Sequence, residues 1–156
     1  HFSKVNFDGA IFKEEDKARI GVVNRDCQGL VLASMSQIIL LPLTIVELET
    51  LAAAKALQFA TDLGLSKVIL ERDSEIVINA LNENSQSLAS FGLLIQDVKY
   101  IANYFHCISF SHVRRDGNCV AHNLTRHARH VNGFSVWMKD VPSYTFVTYQ
   151  ADLPIS

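Results

Sequence analysis

Along the first forty positions apolar and polar residues tend to alternate, and beyond them the apolar residues recur at spacings of three and four. Val5 to Phe12, Ala18 to Asn24 and Leu30 to Ser36 are short β-rich runs separated by the charged turn KEEDK and by DCQG. They predict three strands in an antiparallel meander. From Thr44 to Leu63 the pattern is helical, with Thr44 and Glu47 at capping-box spacing and Gly64 placed to end the helix. Lys67 to Leu70 reads as an apolar strand, after which Asp73 or Ser74 can cap a helix through Ile76, Val77, Ala80 and Leu81. NENSQS reads as a loop. The apolar residues at 88, 91, 94, 95, 98, 101, 102 and 105 predict a helix from Leu88 to Phe105, followed by a strand from Cys107 to Val113. A last helix is expected in GNCVAHNLTRHA, residues 117–128, where Val120, Ala121, Leu124 and Ala128 keep helical spacing around His122 and Asn123.

Strands first, then strands alternating with helices, predict an α/β domain with helices packed on a mixed sheet. Residues 1–132 are expected to form it. Residues 133–156 are aromatic and poorly periodic, and are expected to pack back on the domain or to belong to a linker.

The length of 156 residues suits one domain with a self-sufficient core. A hydrophobic fraction of 49% with 19% charged residues excludes a disordered chain. No apolar run approaches the roughly 18 residues that span a bilayer, and the longest, Ile38 to Leu43, is interrupted by Pro42. No membrane partner is expected, and a monomer is the default. The opening HFSKVNFDG has no charged stretch leading into an apolar one, and reads as a domain cut from a longer chain or as a trimmed chain. Cys27, Cys107 and Cys119 form neither an even disulfide framework nor a CxxC zinc pattern, which points to a reducing, intracellular setting, nucleus or cytosol, and not to secretion.

The net charge of −2 does not suggest nucleic acid, but charge is unevenly spread. From His112 to His130 the chain carries Arg114, Arg115, Arg126 and Arg129 with four histidines, against Asp116 alone. Two descriptions fit equally: a phosphate-facing surface, or a solvated helix face.

Three acidic residues stand out against the apolar pattern. Asp8 interrupts KVNFDGAIF, where a carboxylate costs stability unless paired or metal-bound. The alternative is an Asp-Gly turn at the strand end, although AIF continues the strand beyond Gly9. Glu47 is accounted for by capping, whereas Glu49, about 200° further round the helix, heads the stripe Ala53, Ala56 and Ala60. Such a stripe lets the helix lie close on a sheet and carries Glu49 toward the strands; the alternative is an exposed helical glutamate. Asp73 ends KVILERD, where ligands gather outside the carboxyl ends of strands, or else is simply an N-cap. Glu71 lies on the same strand face and could assist. Three converging carboxylates are what a hard divalent cation takes, and two such ions can activate water and stabilise the leaving oxygen of a phosphodiester.

The order NFDGA, ELETLAAAKAL, ILERDS and HVRRDGNCVAHNL resembles the ribonuclease H family, most closely the plant retroelement-type domain, over about residues 4 to 130. The resemblance implies a five-strand mixed sheet, its first three strands an antiparallel meander, flanked by helices. It implies metal-dependent endonucleolytic cleavage of the RNA strand of RNA/DNA hybrids, with Mg2+ as cofactor and Mn2+ as the alternative. Carried over by position, Asp8, Glu49 and Asp73 are catalytic metal ligands, and Arg115 with Asn118 match the R-x-x-N preceding the last ligand. Arg114, Arg115, Asn118 and Arg126 are the expected nucleic-acid contacts. His122 stands where the family pattern has its last catalytic aspartate, within A-D-x-L-A. A neutral imidazole can ligate a metal without adding negative charge, and it suits Mn2+, Fe2+ or Zn2+ better than Mg2+. A weakened nuclease is therefore expected, or a hybrid- or other nucleic-acid-binding module that keeps the fold without cleavage. The basic protrusion of some bacterial members is missing, since Leu88 to Phe105 carries Lys99 as its one base, and His112 reads as a sheet histidine.

Overall fold

β1 (Ser3–Phe12) is flanked on both sides, antiparallel to β2 (Lys17–Arg25) and parallel to β4 (Lys67–Arg72). The computed structural model that shows this describes residues 1–41, 44–83, 91–127 and 133–154. β3 (Val31–Leu40) runs antiparallel to β2, and β5 (Cys107–His112) parallel to β4. The five-strand expectation is corrected by β6 (Phe134–Met138), antiparallel to β3, which makes a six-stranded sheet of order β5-β4-β1-β2-β3-β6. As a whole that order is not a simple meander. In FSVWM large apolar side chains stand on both faces, so the alternation that marks a strand is hidden in the sequence.

Helices cover both faces of the sheet. On one, α1 (Ile45–Asp62), α2 (Glu75–Asn82) and α3 (Gly92–Ala102) close over the main core. Phe7, Ile20, Leu48, Leu57 and Leu70 lie fully buried there, each large side chain contributing about 1.5–3 kcal/mol by leaving water. On the other, α4 (Cys119–Arg126) and α5 (Phe146–Asp152) adjoin a smaller core of Val23, Val31, Val120, Ala121, Leu124 and Val141. Trp137, Tyr144 and Tyr149 pack against it, so residues beyond 133 complete this layer. No helix of the described residues is long and apolar enough to cross a membrane.

Local chemistry sets the element ends. Thr44 accepts a hydrogen bond from the Glu47 N–H at 3.1 Å, capping α1, and Gly64 leaves the helix at φ 77°, a left-handed conformation that favours glycine. Ser74, not Asp73, is the N-cap residue of α2, without a side-chain cap bond. β3 extends to Leu40, four residues past the expected Ser36, because Ile38 and Ile39 continue the ladder against Arg19 and Ala18. α3 ends at Ala102 rather than Phe105, in a turn that returns the Phe105 N–H to the Ala102 carbonyl at 3.1 Å. Its expected start at Leu88 and most of the NENSQS loop lie outside the described residues, as do Ala128, Arg129 and His130.

Two close approaches bring helices onto the strands beside Asp8. A Cβ on Gly9 would stand 2.9 Å from Leu48 Cγ of α1. A Cβ on Gly21 would stand 2.2 Å from Thr125 Oγ1 and 3.3 Å from the Ala121 carbonyl of α4. Gly21 is the register partner of Asp8, so α4 rests on the strand beside the carboxylate.

Candidate active site

Asp8 is 1% exposed and points to the α4 side of the sheet. Its Oδ1 accepts the Gly9 N–H at 2.8 Å, and its Oδ2 lies 3.0 Å from Nδ1 of His122. For that contact to be a hydrogen bond Nδ1 donates, which leaves Nε2 of a neutral imidazole as the nitrogen with a free lone pair. The helical period of α4 puts Val120, Ala121 and Leu124 into the smaller core and leaves His122 half-buried over Asp8.

The expected carboxylates do converge, and they converge on a cation of the protein itself. Nη2 of Arg72, the last residue of β4, is 2.8 Å from Asp8 Oδ1 and 2.8 Å from Glu49 Oε1, while Nη1 contacts Asp73 Oδ1. Arg72 is 6% exposed, and its Nε–H has no hydrogen-bond partner. Glu49 is 8% exposed, held by the alanine face of α1 against the sheet. Buried carboxylates require compensation, and the guanidinium supplies it. Glu71 is turned to a different partner and accepts from Asn6 Nδ2 at 3.1 Å.

Behind this cluster lies a second polar network. Asn6 Nδ2 also donates to Asn118 Oδ1 at 3.2 Å, and Asn118 Nδ2 donates to the Phe7 carbonyl at 3.1 Å. Arg25 Nη2 donates to Asn6 Oδ1 at 3.0 Å, and Arg25 Nη1 pairs with Asp152 of α5. Cys119, the first residue of α4, lies 3.6 Å from Asp152, and burial, then the Asp152 charge, push its thiol pKa up.

Asn118 was expected at the nucleic-acid surface, and the structure corrects this. It is 1% exposed, and both ends of its amide are spent pinning the start of α4 to β1. Arg114, Arg115 and Arg126 are exposed, with Arg115 Nε 3.8 Å from Asp73 Oδ2 at the rim of the cluster. His112 ends β5 with Nε2 3.2 Å from the Asp73 carbonyl and Nδ1 3.9 Å from Glu75. Sequence reasoning missed Arg72, Asn6 and Arg25. For Arg72 a signal existed, a lone base between two acids in ERD at the carboxyl end of an apolar strand.

The donors present suit a divalent cation in kind, being carboxylate oxygens and an imidazole. Their present arrangement serves Arg72, and among the described residues no group of three or more His, Cys, Asp or Glu is arranged to hold a metal ion.

Known proteins share this framework. The RNase H1 of Halobacterium salinarum NRC-1 superposes with a TM-score of 0.68 at 24% identity, over 76% of this chain and 89% of that one. An N-terminal RNase H domain from Mycobacterium tuberculosis, determined as a fusion with maltose-binding protein, gives 0.71 at 23% identity, over 81% and 91%. A compost-derived RNase H1 in complex with an RNA/DNA hybrid gives 0.68 at 21%, over 80% and 94%. At these identities the likeness is one of fold. No curated protein shows significant sequence similarity to the chain. Residues 6–128 match the family described as reverse transcriptase-like. With the carboxylates gathered beside the central strand of an RNase H-like sheet, the chain belongs to the reverse transcriptase-like family.

Proposed function

We propose that the chain is an RNase H-type nuclease that hydrolyses the RNA strand of RNA/DNA hybrids, with Asp8, Glu49, Asp73 and His122 as its catalytic set. The observation that carries this is the gathering of three carboxylates, from β1, α1 and the end of β4, around one cation, with His122 against the first of them. Those four residues would hold a divalent metal, Mg2+ or Mn2+, which when bound supplies a Lewis acid that activates water and stabilises the leaving oxygen. Asp8 accepts from Nδ1 of His122 and so orients the imidazole. Asn118 fixes the start of α4, and with it the approach of His122 to β1. Arg114, Arg115 and Arg126 are exposed, with Arg115 at the rim of the cluster, and would supply phosphate contacts without sequence preference. The order of the four sequence motifs supports assignment to the plant retroelement type.

A second function, hybrid binding without hydrolysis, is favoured by one observation: Arg72 fills the carboxylate cluster, and His122 brings no fourth negative charge. Cleavage of a labelled RNA/DNA hybrid in Mg2+ and then in Mn2+, by the parent and by Asp8→Asn, separates the two. Turnover in the parent that disappears in Asp8→Asn supports the nuclease. Hybrid binding with no cleavage in either metal would put the binding module in its place.

A further inference from the structure

We propose that Arg72 is a resident counter-cation of the carboxylate site, which a divalent metal must displace before it can bind. The proposal rests on the carboxylates being the metal site of the function given above. It adds that this chain neutralises that site from within. The contacts of Arg72 are those expected of a bound ion: Nη2 lies 2.8 Å from one oxygen each of Asp8 and Glu49, and Nη1 contacts Asp73. Three carboxylates and one guanidinium leave the cluster at a formal charge of −2 with His122 neutral. With Arg72 in place, an incoming cation meets a less negative site whose Asp8 Oδ1 and Glu49 Oε1 are already engaged.

The Arg72 Nε–H has no hydrogen-bond partner. Among the described polar contacts, those to the three carboxylates alone hold the guanidinium. A metal held by Asp8, Glu49 and Asp73 would stand in place of those contacts. Arg72 belongs to the end of β4 and not to a helix interior, and its long side chain can turn outward, placing its charge toward the rim where Arg115 already stands. Two consequences follow: metal affinity is low, because binding includes the release of Arg72, and the metal-free site is stabilised, because the guanidinium offsets part of the negative charge of its carboxylates.

The test is calorimetric titration of the full chain with Mn2+ alone and with Mg2+ alone, for the parent, Arg72→Gln and Arg72→Lys. Arg72→Gln keeps hydrogen-bond donors but loses the competing charge, and its Mn2+ affinity is expected to rise at least about tenfold. Arg72→Lys keeps the charge and should bind within about threefold of the parent. A glutamine variant that binds no tighter than the parent overturns the proposal. The parent provides a check that needs no variant to fold: the Arg72 Nε–H resonance should shift along the same saturation curve as Mg2+ binding. A resonance unmoved at Mg2+ saturation overturns the proposal as well. Cleavage is measured separately, so the two ideas fail separately. Tighter metal binding by Arg72→Gln without hybrid cleavage sinks the nuclease and upholds the counter-cation, whereas cleavage by the parent with unchanged affinity in Arg72→Gln does the reverse.

Discussion

Asp8 and His122 form the contact on which the site turns. At present Nδ1 of His122 faces Asp8 Oδ2 at 3.0 Å, a donor against an acceptor. His122→Asp replaces the donor with a second carboxylate beside a buried one. In a chelator the variant should lose about 1–3 kcal/mol of stability from like charge and a lost hydrogen bond. Saturating Mn2+ should restore it. Urea unfolding with and without metal reads both, and equal stability of parent and variant in chelator would refute the argument. Asp8, Glu49 and Asp73 were legible in the sequence because a polar residue set into an apolar pattern has few explanations. Arg72 was passed over, although ERD sets it between two acids, because a base at a strand end ordinarily points to water. Its partners come from β1, α1 and the residue beside it, a convergence that no local pattern encodes. Asn118 was assigned to the surface for the complementary reason: polarity alone does not tell a ligand contact from a buried pin.

The elements that present these residues depend on the absence of side chains at two positions. Gly21→Ala puts a Cβ where Thr125 Oγ1 lies 2.2 Å away, with the Thr125 amide at 3.2 Å behind it. The hydroxyl can rotate but the backbone cannot, so α4 must lift from β2. A loss of about 1–3 kcal/mol is expected, as for other insertions into packed interiors. A parallel drop in hybrid affinity is expected as the arginines of α4 and the turn before it move. A denaturation midpoint equal to the parent's would show that α4 yields without cost. Strands and helices with unmixed periodicity, β1, α1 and β4, were readable from the chain, and α1 even showed both ends through Thr44 and Gly64. β6 escaped because Phe134, Val136 and Met138 leave their apolar side chains exposed while Trp137 turns inward, so no polar face marks the alternation.

For the molecule as a whole, the C-terminal segment is tied to the site from behind. Tyr144 donates to the Leu124 carbonyl of α4 at 3.3 Å, and burial pushes its pKa up to about 12, partly offset by Arg19. A phenol whose folded pKa exceeds its unfolded value of about 10 adds stability that is complete below the unfolded value. That stability is lost as pH rises through the folded one. The Tm difference between the parent and Tyr144→Phe should therefore hold steady up to about pH 10 and shift against the parent between about pH 10 and 12. A difference that stays flat over that window would mean that the phenol ionises without disturbing the docked segment.

The pairing of β1 with β2 sets Asp8 opposite Gly21 and Phe7 opposite Val22. Because side chains alternate, a slip of one position would carry Asp8 into the apolar layer under α1 and turn Phe7 toward α4. Misalignment would thus bury an uncompensated carboxylate and drive an aromatic ring into the polar network under α4 in the same move. During folding, a chain with a well-packed core and a scrambled carboxylate cluster is a state that these strands disfavour twice over.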